Sequence, residues 1–212
     1  GQDFIDATVG GGGHAFAVLE CTKPDGRLLG IDRDAEFLAA LGERTRKAAG
    51  DRLTLVHGDF RDIGRIAPDA GFSRVHGILM DLGMSSEQLE ASPVESRSDP
   101  GASGRGFSFL RDEPLDMRYD TREPLTAADI LNTWRRDELE RIFRIYGEER
   151  HARRIAEVIV EHRHKTKFAR TRQLVEVLGR VVRRTERIHP VTRVFQALRI
   201  AVNDELNALA AG

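Results

Sequence analysis

Four short β-prone runs each end in residues that could bind a ligand: acids, bare glycines, an aromatic ring and an amide. Phe4-Ile5-Asp6-Ala7-Thr8-Val9 leads into Gly10-Gly11-Gly12-Gly13 and then His14. Glycines let the backbone turn tightly and approach a ligand with no side chain in the way, and the helix expected next offers free amide N–H groups. Taken alone, such a turn fits an ordinary loop as well as a ligand cradle. Asp32 closes a second run 22 residues after Gly10; a carboxylate there can accept both ribose hydroxyls of an adenosine. His57-Gly58-Asp59-Phe60 follows a third run, and the Phe60 ring could stack on adenine or anchor a buried loop. Asp81-Leu82-Gly83-Met84-Ser85-Ser86-Glu87-Gln88 follows the fourth, placing an acid and an amide, Asp81 and Gln88, where a nucleoside and its reacting group would lie. Four such ends in succession point to a nucleoside cofactor. A nicotinamide dinucleotide would need the glycines to hold a pyrophosphate, beside which Asp6 is awkward. S-adenosylmethionine, with a sulfonium and an amino-acid tail, suits acidic neighbours.

These residues converge only if the runs are parallel strands of one sheet. Helical patterns separate the strands expected at 4–9, 27–32, 53–57 and 75–81, which implies right-handed βαβ crossovers and an α/β fold. The rhythm breaks at residues 91–106, rich in Gly, Ser and Pro, which read as a loop. Beyond it the pattern is helical: a capping box at Thr126-Ala127-Ala128-Asp129, stripes through Leu139, Ile142 and Phe143 and through Ile155 and Ile159, a helix capped by Thr171, and one last helix from Pro190 carrying Phe195, Leu198, Val202, Leu206 and Leu209. The expected organisation is a sheet domain from 1–90 and 189–212, interrupted by a mainly helical domain at 91–188.

Composition narrows the function class. One cysteine, Cys21, in 212 residues excludes an internal disulfide framework and a Cys-based zinc site, so no metal is expected. No apolar run is long enough to span a bilayer and the first residues lack a signal-peptide pattern; a cytoplasmic setting with no membrane partner is expected. The net charge of −1 hides an asymmetry: residues 1–134 carry −8, 135–199 carry +9 and the last 13 carry −2. A basic half on an acidic partner suits a polyanion such as RNA, or else reflects arginines solvating helix faces.

At this point the sequence resembles the MraW (RsmH) family, which methylates the exocyclic 4-amino group of a cytidine in the decoding centre of 16S ribosomal RNA. The resemblance rests on Phe4 to His14, Gly30-Ile-Asp-Arg-Asp34, Gly77 to Ser86, Arg105-Gly-Phe-Ser-Phe109, Pro114-Leu-Asp-Met-Arg118, Thr126 to Asp129, Tyr146-Gly-Glu-Glu149 and Phe195 to Asn203. It implies a Rossmann-like methyltransferase sheet with an inserted helical domain, S-adenosyl-L-methionine as cofactor, and cofactor contacts at Gly12, Gly13, His14, Asp32, Phe60, Asp81 and Gln88. It also implies an RNA-binding role for the insertion, a small-subunit ribosomal RNA or 30S particle as partner, and compatibility with a homodimer. No catalytic base is assigned. Phe107 and Phe109 could stack on an extruded base or anchor their loop to the core. Against the family pattern the chain reads as truncated at both ends, with a longer loop at 91–104. A nicotinamide-dependent oxidoreductase and a non-catalytic RNA-binding module are the competing classes.

Overall fold

A computed structural model of the chain describes residues 1–83, 104–181 and 190–212. It divides into two compact units, one of Gly1–Ser85 with Leu206–Gly212 and one of Ser86–Glu205. In the first, β1 (Asp3–Asp6), β2 (Arg27–Asp32), β3 (Leu53–His57) and β4 (Gly77–Leu79) form one sheet in the order β3-β2-β1-β4. Every pairing is parallel, with Asp6 level with Gly30 and Leu79 and Asp32 level with His57. Helices α1 (Gly13–Cys21), α2 (Ala35–Ala49) and α3 (Ile63–Asp69) make the crossovers. The chain runs outward from β1 to β3 and then returns to β1's other side, which makes the β1/β4 boundary the switch point where open α/β sheets bind ligands.

Strand β2 shows why the sheet is central. Leu28 packs with Val9, Ala15, Leu19, Leu38 and Leu41 under α1 and α2. Leu29 and Ile31 point the other way, into a cluster with Ile5, Ile66, Phe72 and Ala208. Both faces are covered, so the strand reads as a nearly unbroken apolar run. Strands β1 and β4 are shorter than expected. β1 stops at Asp6 because its own Oδ1 accepts the Thr8 N–H at 3.2 Å, turning the chain before Val9; β4 covers Gly77–Leu79 alone. Helix α3, with Gly64 and Pro68 in seven residues, has no clear periodic signal in the sequence.

The second unit contains α4 (Ala127–Thr133), α5 (Arg136–Ile145), α6 (Ala152–Arg163), α7 (Thr171–Gly179) and α8 (Pro190–Asn203). The Thr126/Asp129 capping box opens α4 as expected. Thr171 does not cap α7. Its hydroxyl accepts the Glu113 N–H and donates to the Arg111 carbonyl, and Gln173 Oε1 takes the Ala169 and Arg170 N–H groups instead. The single last helix expected from Pro190 is broken at Asp204, where φ is +51°, into α8 and α9 (Glu205–Ala211). Helix α8 packs against α4, α5 and α7. The observed boundary therefore falls after Glu205, where the sequence placed it at 188/189. The loop expected at 91–106 lies, up to residue 103, outside the described residues.

Within this unit the segment 105–119 is held by Asn203. Its Nδ2 donates to the Met117 carbonyl and its Oδ1 accepts the Tyr119 N–H, each at 2.7 Å. Met117 is fully buried at φ +62°, a backbone that persists only where its surroundings fix it. Phe107 stacks on Tyr119 at 5.5 Å and Phe109 meets Phe195 edge-on at 5.6 Å. Both rings anchor the segment to the core.

Candidate functional site

The carboxyl ends of β1, β2 and β4 carry Asp6, Asp32 and, two residues past Leu79, Asp81. A short backbone network binds the three tips together. Ala7 N–H donates to the Leu79 carbonyl at 2.9 Å and Val9 N–H to the Ile31 carbonyl at 3.0 Å. The Gly10 N–H donates to Asp32 Oδ2 at 2.8 Å and the Asp34 N–H to Asp32 Oδ1 at 2.9 Å. Asp81 is placed through its own N–H, which donates to Thr8 Oγ1 at 2.7 Å. Nothing in the sequence alone singles out Thr8, although an Asp-x-Thr turn is a recognisable signal once the strand end is known.

The glycines form the turn from β1 into α1. Gly12 sits at φ +85°, a backbone that favours glycine, and a Cβ there would also have to displace the buried Leu41 side chain. A Cβ on Gly13 would meet nothing within 4 Å; this part of the turn presents bare backbone. The Arg44 guanidinium holds the Gly11 carbonyl at 3.2 Å. His14, exposed on the first turn of α1, brings Nδ1 to 3.8 Å from Asp81 Oδ2.

Electrostatics mark the tips as strained in charge. Asp6 is only 1% exposed. Its Oδ1 accepts the Thr8 N–H, while its buried Oδ2 has no hydrogen-bond partner among the described residues. Burial pushes the Asp6 carboxyl above the ordinary carboxylate range; the Thr8 N–H and His14 oppose this, and the Asp32 and Asp81 charges add to it. Burial likewise raises Asp32, against the pull of the Asp34 and Gly10 amides. His14, Asp32 and Asp81 thus lie close enough to Asp6 to act on its charge at the sheet's switch point, and the Gly12–Gly13 turn leads from the same strand end into α1.

Phe60 is placed differently. It opens the turn after β3, capped by Asp59 accepting the Arg61 N–H at 2.9 Å, and its ring is 9% exposed in the cluster with Ile5, Ile31 and Ala208. Gln88 lies outside the described residues. Among the described residues no group of His, Cys, Asp or Glu is arranged to hold a metal, and no helix is long and apolar enough to cross a membrane.

A cofactor for these tips must bring positive charge or hydrogen-bond donors. A pyrophosphate would add anions beside three carboxylates, which neighbouring like charge disfavours. A sulfonium nucleoside with an ammonium group fits the donor set, because Asp6 Oδ2 lacks a donor and the Asp32 carboxylate keeps acceptor capacity beyond its backbone amide bonds.

Comparison with known proteins agrees with this chemistry. The profile of the MraW methylase family matches residues 1–211. Ribosomal RNA small subunit methyltransferase H of Syntrophotalea carbinolica is 50% identical over 215 residues, covering 100% of this chain and 65% of that protein. The proteins of that name from Symbiobacterium thermophilum and Thermomicrobium roseum are 46% and 49% identical, again over all of this chain and over 64% and 62% of their own lengths. The chain thus spans a little under two thirds of these relatives.

Proposed function

The chain belongs to the MraW methylase family, and from that membership we propose that it transfers a methyl group from S-adenosylmethionine to the 4-amino group of a cytidine in small-subunit ribosomal RNA. The observation that supports the cofactor most directly is the buried, donor-less Oδ2 of Asp6 beside the Asp32 and Asp81 carboxylates. The relatives' names support the RNA target. The nicotinamide alternative loses on both counts.

S-adenosylmethionine, when bound, supplies an electrophilic methyl on its sulfonium. The chain's own residues bind and orient. Asp32, fixed by two backbone amides, is suited to the ribose hydroxyls. Asp6 and Asp81 suit the cationic groups, and the Gly12–Gly13 backbone lets the ligand approach without a side chain between. Phe60, nine-tenths buried, has little surface left to offer the base. Gln88 completes the proposed set. The cytosine amino nitrogen is a poor nucleophile because its lone pair delocalises into the ring, so most of the rate gain comes from holding it in line at roughly 3 Å and accepting its N–H bonds. Asp81, exposed past the β4 tip with its backbone N–H held by Thr8, is the carboxylate nearest by position and would serve as that acceptor.

The test is transfer of labelled methyl from S-adenosylmethionine to small-subunit RNA, as naked RNA and as 30S particles, followed by nucleoside analysis. N4-methylcytidine is the expected product. Methyl on another nucleoside overturns the stated specificity, and RNA binding without any transfer leaves the non-catalytic module as the answer.

A further inference from the structure

Residues 135–199 carry 18 cations against 9 acids, and many of those cations are already engaged. Arg136 and Arg144 share Glu140, Arg153 and Arg154 share Glu157, and Arg172 pairs with Glu176. Arg163 is turned inward, donating to the Leu131 and Trp134 carbonyls at the end of α4. Against this background two of the chain's four lysines, Lys165 and Lys167, stand out. They flank Thr166 in the turn between α6 and α7, next to His164, and all four residues are exposed. Neither lysine has an acidic partner among the described residues. Glu161, four residues before Lys165, has the spacing for a helical ion pair, but the helix ends first: the Lys165 and Thr166 N–H groups both fold back onto the His162 carbonyl.

The turn's backbone is fixed from beneath. Phe168 is 1% exposed, its ring centroid 5.0 Å from that of His162. The Asn132 side-chain amide takes both of its backbone groups, accepting the Phe168 N–H at 2.9 Å and donating to its carbonyl at 2.7 Å. A buried anchor thus sets the path of a short segment whose unpaired cations face solvent.

Resting on the reading that ribosomal RNA is the substrate, we propose that the turn His164-Lys165-Thr166-Lys167 is a contact for the RNA phosphodiester backbone. Lysine ammoniums are compact point charges that suit phosphate oxygens without reading base edges, and the turn exposes neither an Arg fork nor a large aromatic ring with which to read a base. The contact therefore positions the RNA independently of its sequence.

The chain is titrated with a fluorescent small-subunit RNA fragment over a range of salt, as wild type, as Lys165→Gln/Lys167→Gln and as Arg136→Gln, which removes a cation already paired with Glu140. The double variant is expected to bind about tenfold more weakly, with the slope of log affinity against log salt reduced by about one to two, the signature of one or two lost phosphate contacts. Arg136→Gln is expected to stay within about twofold. S-adenosylmethionine affinity and unfolding followed by Trp134 fluorescence should not move in either variant. Wild-type RNA binding with an unchanged double variant overturns the turn's role and leaves the functional reading standing. Loss of binding to a polyglutamate peptide but not to RNA assigns the turn to an acidic protein segment and overturns it too. A wild-type chain that binds no RNA sinks the functional reading itself.

Discussion

In the helical unit Asp112, Asp116, Glu140 and Glu157 each bind an arginine, whereas at the strand tips the hydrogen bonds to Asp6 and Asp32 come from backbone amides and neighbouring carboxylates add like charge. Both regions carry short motifs of equal distinctness in the sequence, yet for different physical reasons. Pro114 to Arg118 and Asn203 are consumed internally: each polar group closes a bond that holds the fold. The glycine turn and its carboxylates leave an unmet acceptor and a charge imbalance that the proposed cationic ligand would relieve.

That contrast can be broken at either end. The largest expected effect is Asn203→Ala, which strands the Met117 carbonyl and the Tyr119 N–H inside the helical unit. The loss should be about 3 kcal/mol of that unit's stability, read by denaturation followed at Trp134, the chain's single tryptophan, with S-adenosylmethionine affinity unchanged. Gly12→Ala comes next. It forces a Cβ toward Leu41 at positive φ, and should lower the sheet unit's stability by about 2 kcal/mol and weaken cofactor binding together with it. Asp6→Asn separates the two: about tenfold weaker S-adenosylmethionine binding by calorimetry, equivalent to about 1.4 kcal/mol, with stability without cofactor unchanged or increased.

The smallest effect is on pH dependence, and it has opposite signs in the two regions. Asp6 and Asp32 have folded-state values raised above 3.8, so their contribution to stability is full below that value and is lost as pH rises through the raised one. For Asp116, burial alone would raise the carboxyl, but the Arg118 hydrogen bonds outweigh it and hold it below 3.8. Its contribution is present above that value and is lost as pH falls through the lowered one. Hydrogen exchange across the acid range should show the amides at the Asp6 and Asp32 strand tips gaining and those around Asp116 losing protection as pH falls, with Asp6→Asn reducing only the first trend.

Much of this organisation was legible in the sequence because the strand ends are punctuated by Asp and Gly, residues that turns and caps demand locally. What was not legible depends on partners far along the chain. Thr171 has the composition of a helix cap, but its hydroxyl is claimed by residues 111 and 113. The break at Asp204 is hidden because the apolar spacing continues from Val202 to Leu206 across it. Phe60 reads equally as a stacking ring or a core ring, and only the packing with Ile5, Ile31 and Ala208 shows how little of it faces out. At the site, Asp32 could be chosen by its place at a strand end; Thr8, which positions Asp81, could not.

The central claim is that the carboxylates at neighbouring strand tips hold a sulfonium nucleoside. Calorimetric titration of S-adenosylmethionine into the wild-type chain and into Asp32→Ala tests it most directly, with a nicotinamide dinucleotide as the control ligand. Saturable binding by wild type, at least tenfold weaker in the variant (about 1.4 kcal/mol) and absent for the dinucleotide, is the expected result. Equal affinity of wild type and variant for S-adenosylmethionine, or preferential binding of the dinucleotide, would contradict it.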